Sequence, residues 1–266
     1  MNTELLQMAK LTLIARNFLE SGQIADCLDY KHINRLIFHM RNKYFGLLPY
    51  GRSVDGLEKW LAYLTQKQCT SIFLILPDEI DEHAELSLYT TLLNSNAGWV
   101  IITNTVIDYS AWQRRWKQAN DGKWDVHYYE KTSPGRNPLD FHFHYDPQEL
   151  PAALKAIKQF ASEIGCAAWI KWFDSALAIL AGEPEVEPRY RVELKGLIPQ
   201  DKMPLINALS HAWIFGGTGW WNDDGAAAAA SADRRSDYQH YSWQLYQAIM
   251  RVVMYCVNGD QNLDQQ

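Results

Sequence analysis

Three glycines and three tryptophans fall within the eleven residues Trp213–Asp223, and this stretch constrains the fold more than any other part of the sequence. Glycine permits positive φ angles and lets neighbouring groups approach the backbone closely. Tryptophan adds a large apolar surface and one N–H group that needs an acceptor when it is buried. The stretch therefore predicts a shaped turn with aromatic anchors, whose backbone geometry depends on Gly216, Gly217 and Gly219.

Three interpretations of this turn stay open from the sequence. In the first, the turn ends a helix, its tryptophans pack on neighbouring elements, and Asn222 and Asp223 bond to the turn backbone. In the second, the turn is a surface presented to a protein partner, with Trp220, Trp221 and Asp223 as candidate contacts. The third is a phosphate-binding loop, but the stretch lacks the Lys-Ser/Thr pair of such loops and follows no predicted strand.

Composition narrows the class of protein. Hydrophobic residues make up 47% of the chain and charged residues 21%, which is typical of a folded globular protein. The formal net charge of −6 argues against nucleic-acid binding, because that function needs clustered cations. The sequence has neither a membrane-spanning apolar run nor a signal-peptide pattern, so we expect a soluble cytoplasmic protein without a membrane partner. Dispersed cysteines without a CxxC pair predict reduced, buried thiols at Cys27, Cys69, Cys166 and Cys256.

Apolar spacing of three and four residues predicts helices near both ends of the chain. These helices are predicted over 3–21, Ile24–Tyr44, Val54–Lys67, Asp146–Ile164, Ala167–Leu180, Lys202–His211 and Ser236–Asn258. A capping-box pattern at Ser110–Gln113 predicts a further short helix, with Trp112 and Trp116 one turn apart. The alanine-rich segment Ala226–Ala232 is expected to be a loop, and the sequence leaves open whether it is natural or engineered.

Short apolar or alternating runs predict strands in the middle of the chain. They cover Ser71–Leu76, Trp99–Thr103, Trp124–Lys131, Phe141–Tyr145 and residues 189–195. The fold class is therefore α+β, with a helical N-terminal segment, a central, mainly antiparallel sheet and a helical C-terminal part. We expect one compact unit over 1–266; if the chain divides, the acidic, proline-containing segment 183–188 is the predicted boundary.

The strand predicted over 141–145 offers one candidate metal site. His142, His144 and Asp146 share one face of that strand, because side chains alternate, and two imidazoles with a carboxylate are plausible zinc ligands. However, alternate residues on a strand stand about 7 Å apart at Cβ, and Asp146 is fully explained as a helix cap. We therefore interpret this face as a polar solvent face and predict neither a metal nor a cofactor.

Other polar residues offer weaker candidates for a site. His127, Tyr128, Tyr129 and Glu130 would build a polar groove together with the strand over 141–145, which is the basis of an alternative prediction of hydrolase activity. His32 and His39 are seven residues apart on a predicted helix, where packing or surface roles are expected.

An acidic run follows the strand predicted over Ser71–Leu76. It is interpreted as a solvated turn or, alternatively, as a docking patch for a basic protein, since complementary charge speeds encounter and selects the partner. The candidate contacts in this run are Asp78, Glu79, Asp81 and Glu82.

The C-terminal part of the chain carries a family resemblance. The segment His211–Asp223, followed by an aromatic-rich amphipathic helix and Val257-Asn258, resembles the tail of bacterial proteins associated with polymorphic-toxin immunity, which carry an FGGxGxWND pattern. The resemblance implies a non-enzymatic binding protein that neutralises a toxin.

We therefore predict a bacterial binding protein, without catalytic residues, that occludes the active surface of a toxin. The motivating observations are the net acidity, the aromatic-loaded turn and the absence of a complete catalytic motif from the sequence. Two alternatives stay open: a hydrolase that uses the polar strand faces, and a homo-oligomeric structural module whose tryptophan turn forms a homodimer interface.

Overall fold

The computed structural model describes residues 3–24, 32–41, 50–75, 99–133, 145–183, 186–188, 194, 196–216 and 219–259. These residues form an α+β fold, as the sequence predicts. They divide into two compact units. The sheet unit contains two helices and all six described strands, and the helical unit contains the remaining helices from residue 145 onward.

The elements of the sheet unit follow one another in the order helix, two strands, helix, four strands. Their bounds are α1 (Thr3–Ser21), β1 (Ile33–Arg41), β2 (Tyr50–Asp55), α2 (Leu57–Gln66), β3 (Ser71–Ile75), β4 (Val100–Asn104), β5 (Tyr109–Gln118) and β6 (Trp124–Ser133). The strands lie in the order β2-β1-β6-β5-β4-β3. Every neighbouring pair is antiparallel except β1 and β6, which are parallel.

One face of the sheet is filled by aromatic side chains that pack against α2. Phe38 of β1 stacks on Trp60 of α2 with ring centroids 4.6 Å apart, and on Tyr128 of β6 at 5.1 Å. Trp112 of β5 meets Trp60 edge-on at 5.7 Å. All four rings have no accessible surface, so they form the core of this unit. We call this the covered face.

At one edge of the covered face, a buried carboxylate of β6 forms hydrogen bonds with three other elements. Glu130 of β6 accepts hydrogen bonds from the Tyr63 hydroxyl of α2 at 2.8 Å, the Ser110 hydroxyl of β5 at 2.8 Å and the Arg41 backbone N–H of β1 at 2.9 Å. Burial and the neighbouring Glu130 raise the pKa of Tyr63. Because the carboxylate has three donors, its burial is compensated.

Two predicted helices in this unit are wrong. Residues 33–41, within the helix predicted over Ile24–Tyr44, form β1, and the helix predicted after Ser110 is part of β5. Leu36, Phe38 and Met40 are buried at alternate positions, which fits a strand. The following strand β2 and the distant strand β6 pair with the two edges of β1, and this pairing overrides the local helical spacing.

Other elements of the sheet unit lie close to their predicted positions. Helix α1 and strands β3, β4 and β6 are confirmed. Helix α2 begins three residues later than Val54, because Val54 still belongs to β2 and Gly56, with a φ of 95°, makes the turn between strand and helix. The strand predicted over 141–145 falls almost entirely outside the described residues, as does the one over 189–195.

The helical unit consists of α3 (Glu149–Glu163), α4 (Ala167–Leu180), a 3-10 turn (Gln200–Lys202), α5 (Met203–Ala212), α6 (Trp221–Ser231) and α7 (Arg235–Asn258). Helices α3, α4, α5 and α7 were predicted. Helix α6 corrects the expectation of a loop at Ala226–Ala232: alanine is the best helix former, and Asp223 and Asp224 lie favourably in the first turn.

Glu187, in the segment predicted as a possible boundary, is grouped with the helical unit. The Nε2 atom of His211 on α5 is 2.9 Å from the Glu187 carbonyl oxygen, which fastens this segment to the helix. The division of the chain into two units therefore differs from the single unit that the sequence predicts. None of the described helices combines the length and apolar character needed to cross a membrane.

Trp221 lies at the centre of the helical unit. Its ring meets those of Trp169 at 6.0 Å, Phe173 at 6.1 Å and Tyr238 at 5.6 Å, and its Nε1–H donates to the Ser242 hydroxyl at 2.8 Å. The indole packs over Gly225, one turn further along α6, where an added Cβ would lie 2.7 Å from it. The surrounding rings leave the indole no room to move aside.

Replacing Gly225 with alanine tests this close packing. A Gly→Ala change inside a helix ordinarily stabilises by about 0.5–1 kcal/mol, but here the new methyl group meets a fixed indole. We expect Gly225→Ala to lower the free energy of unfolding by about 1–3 kcal/mol, measured by urea denaturation. Exposed Ala227→Gly on the same helix is the control, with the ordinary loss of about 0.5–1 kcal/mol. A stabilised Gly225→Ala protein would contradict the packing described.

Candidate functional site

The face of the sheet opposite α2 carries a patch of polar side chains over its β2, β1, β6 and β5 strands. The strand registers place these residues in neighbouring rows: His39 is opposite Tyr129, Ile37 is opposite His127, and Arg35 is opposite Asp125. We call this patch the histidine face; it comprises Ser53 and Asp55 on β2, Arg35, Ile37 and His39 on β1, Asp125, His127 and Tyr129 on β6, and Gln113, Arg115 and Lys117 on β5.

Two imidazoles meet at the centre of the histidine face. His39 Nε2 lies 2.8 Å from His127 Nδ1, which is a hydrogen bond between the rings. The ring of Tyr129 stacks on His39 at 4.5 Å, and the Arg115 guanidinium lies 5.4 Å from the centre of the Tyr129 ring. Both histidines and Tyr129 are half-buried, so the cluster is ordered by the sheet and still reachable.

The hydrogen bond between the imidazoles requires one proton between the two nitrogens, and the partner nitrogen must be bare. Burial, followed by the charge of Lys117, lowers the pKa of His39 below its ordinary value of 6.5. Burial, Lys117 and then His39 lower the pKa of His127 in the same way. Near neutral pH the pair is therefore uncharged, with one donor and one acceptor joined and one bare nitrogen left over.

Cations surround this neutral pair. Arg35, Arg115 and Lys117 are exposed, and Lys131, opposite Ala111 in the register, extends the same side of the sheet. Asp125 forms an ion pair with Arg35, whose Nη2 donates to it at 2.6 Å. This contact lowers the pKa of the Asp125 carboxyl. Among the described residues, no carboxylate forms an ion pair with Arg115 or Lys117. The face is thus locally cationic on an acidic chain.

The predicted partner contacts at the Gly/Trp turn are only partly accessible. Trp221 has no exposed surface, so its prediction as a partner contact is wrong: it is a core residue. Trp220 is half-buried, and its ring lies so close to Gly216 that an added Cβ would be 2.6 Å away. Gly219 has a φ of 78°, and its N–H donates to exposed Asp223 at 2.8 Å.

These contacts fit the structural interpretation of the turn. The Asn222 side-chain N–H₂ also donates to the Gly216 carbonyl at 2.8 Å, so both polar side chains bond to the turn backbone. Such bonds hold the described part of the turn that leads into α6. Gly217 lies outside the described residues.

The structure does not assemble the other predicted candidates into a site. Asp78, Glu79, Asp81, Glu82, His142 and His144 lie outside the described residues. Asp146 is exposed, and its carboxylate accepts the Gln148 N–H at 2.9 Å, so it caps a turn just before α3 begins at Glu149. The helix therefore starts later than its sequence pattern indicates. Within the described ranges, no group of three or more metal-binding side chains converges.

The polar groove predicted around β6 is divided between the two faces of the sheet. His127 and Tyr129 point to the histidine face, whereas Tyr128 and Glu130 belong to the covered face. Sequence reasoning missed His39, Arg115 and Lys117 because it assigned their segments to helices. The alternation of Leu36, Phe38 and Met40 was the available signal, since it places His39 on the side away from the core.

No family model, no curated protein and no solved structure matches this chain. Its function must therefore be argued from the geometry of its own residues.

The histidine pair predicts a pH dependence of stability. The folded-state pKa values of His39 and His127 lie below 6.5. As pH falls, the unfolded chain therefore binds protons first, so this contribution to stability is complete above about pH 6.5 and is lost as pH falls towards the folded pKa values. We expect His127→Gln to reduce the loss of unfolding free energy between about pH 7 and pH 5, measured by urea denaturation.

The exposed His240 on α7 supplies the control for this measurement. His127→Gln should change the pH dependence of the unfolding free energy more than His240→Gln does, because only His127 belongs to the hydrogen-bonded pair. If His127→Gln and His240→Gln give the same dependence of the unfolding free energy on pH, protonation of the histidine pair does not destabilise the folded protein. That result would contradict the prediction.

Proposed function

We propose that the protein acts by binding, and that the histidine face contacts an acidic surface of another protein. The observation that carries the proposal is the exposed, locally cationic patch formed by Arg35, Arg115 and Lys117 around half-buried rings. Complementary charge steers two proteins together and selects against wrong partners. A rigid sheet presents these side chains in fixed rows, which lowers the entropy lost on binding.

The centre of the face resembles the anchor region of a protein interface. Tyrosine and arginine are the residue types most often found where binding energy concentrates, and here Arg115 lies over the ring of Tyr129. Ile37 adds a half-buried apolar side chain between His127 and Asp55. This mixture of rings, one aliphatic group and surrounding charges suits a protein partner.

A nucleic-acid partner is disfavoured by the charges. The chain carries a net charge of −6, which repels a polyanion at a distance. The histidine face itself includes two carboxylates, Asp55 and Asp125, among its cations. Phosphate-backbone binding needs a denser cluster of positive charge.

The resemblance of the C-terminal part supports a particular kind of partner. If it reflects kinship, the partner is a bacterial toxin and binding neutralises it by occlusion. The histidine face then implies a toxin with an acidic surface, in contrast to the basic partner that the run Asp78–Glu82 suggests from the sequence.

Charge removal on the face tests the proposal with an octa-aspartate peptide as the probe. We expect Lys117→Ala or Arg115→Ala to weaken binding about fivefold at low salt, since each removes one favourable charge. Lys155→Ala, which removes an exposed lysine from α3, is the matched control. Isothermal titration calorimetry measures the affinities, and added salt should weaken binding of the unmodified protein. Equal weakening by all three substitutions, or tighter binding of an oligonucleotide than of the peptide, contradicts the proposal.

A second candidate function is acid–base hydrolysis, and the hydrogen-bonded pair of His39 and His127 is the observation that favours it. An imidazole that is uncharged near neutral pH is a competent general base, and the second ring would orient the first.

Hydrolysis of bis(4-nitrophenyl) phosphate tests this candidate. If the pair is catalytic, His127→Gln should lower the rate about 100-fold or more, the usual loss when a general base is removed. The His240→Gln control should retain the rate. A rate that is unchanged in His127→Gln, or that never exceeds that of buffer, rules out this chemistry for the face.

A further inference from the structure

We propose that binding of an acidic partner is coupled to the uptake of one proton by the hydrogen-bonded pair of His39 and His127. The inference rests on the proposed binding function of the histidine face and assigns to it a regulation by pH. The partner would be held more tightly as the solution becomes more acidic.

The geometry of the pair sets how many protons it takes up. With 2.8 Å between His39 Nε2 and His127 Nδ1, one nitrogen must donate and the other must accept. One added proton goes to the remaining bare nitrogen, and it turns the contact into a stronger, charge-assisted hydrogen bond. A second added proton would point two N–H groups at each other and break the bond. The geometry of the pair therefore favours the gain of one proton and disfavours the gain of a second.

In the free protein, even the first proton is opposed by the surroundings. Burial and the Lys117 ammonium both disfavour a charged ring, and Asp125 is the neighbour whose charge favours protonation of His127. Asp125 is, however, held by Arg35 and Asn34. The charged and titratable groups that face the pair from each strand are Arg35 on β1, Asp55 on β2, Arg115 and Lys117 on β5, and Asp125 and Tyr129 on β6.

A partner carboxylate placed over Lys117 and Arg115 changes this balance. It screens the cation that opposes protonation and adds an acceptor for the charged pair. The pKa of the pair then rises on binding, and by linkage the affinity rises as pH falls. For one coupled proton the affinity gains at most about tenfold for each unit of pH.

Calorimetric titration of the whole protein with the octa-aspartate peptide tests the coupling. The amino terminus of the peptide is acetylated, because a free α-amino group has a pKa of about 7.7–8.0. Aspartate side chains keep their charge well above their pKa of about 3.9, so changes between about pH 8 and pH 6 then belong to the protein. Titrations at one pH in buffers of different ionisation enthalpy give the number of protons taken up. We expect a value between zero and one near about pH 6.5, with an affinity that rises towards acid.

Substitutions of the histidines test whether the proton taken up on binding goes to the pair. The double variant His39→Gln/His127→Gln, which removes both imidazoles, should reduce the uptake towards zero and flatten the pH dependence of the affinity, while His240→Gln behaves as the unmodified protein. Binding that depends on Lys117 but takes up no proton overturns the coupling and leaves the proposed function standing. Uptake that persists in the double variant, or that approaches two protons in the unmodified protein, also overturns it. No binding at low salt overturns both.

Discussion

The parallel pairing of β1 with β6 is the interaction on which the rest of the sheet unit depends. It joins two segments that are distant in the sequence, and it sets Phe38 beside Tyr128 on one face and His39 beside Tyr129 on the other. Because side chains alternate along a strand, a shift of this register by one residue would exchange the two faces. The aromatic core and the histidine pair are therefore two consequences of one register.

Two features hold that register in place. The stack of Phe38 between Trp60 and Tyr128 fills the covered face, so that a shifted strand would bring polar groups into the core. The Glu130 carboxylate, bonded to Tyr63, Ser110 and the Arg41 backbone, fixes the end of β1 relative to β6 and α2. With the covered face so determined, His39 of β1, His127 of β6 and Lys117 of β5 must lie on the other side.

The sequence predicts the helices of the helical unit well because their apolar stripes and ends are local. Helix α4 has its predicted bounds, and Gly259 ends α7 as Asn258-Gly259 suggested. Strand β1 was missed for a physical reason: Ile33, Leu36, Ile37 and Met40 satisfy helical spacing. One of the two strands that pair with β1, β6, is far away in the chain.

The candidate site could not be predicted from the sequence for the same reason, since it depends on the pairing of distant strands. His127 and Tyr129 were recognised as polar residues of a strand, but their partner His39 was placed on a helix, so the pair could not be seen. Trp221 shows the opposite error. Its motif left a packing role and a partner contact both open, and it was named as a candidate contact, whereas its buried ring and its bond to Ser242 give it the packing role. A motif rich in glycine and tryptophan is therefore better evidence for close packing than for a functional site.

Nuclear magnetic resonance of the protein with ¹⁵N-labelled imidazoles tests the central claim most directly. If β1 and β6 pair in this register, the hydrogen bond between His39 Nε2 and His127 Nδ1 transmits a scalar coupling between the two nitrogens near neutral pH. The account predicts that coupling and two unprotonated nitrogens in the neutral pair, one of which accepts the hydrogen bond. Two imidazoles that titrate independently, without any coupling between them, would contradict the register and with it the site.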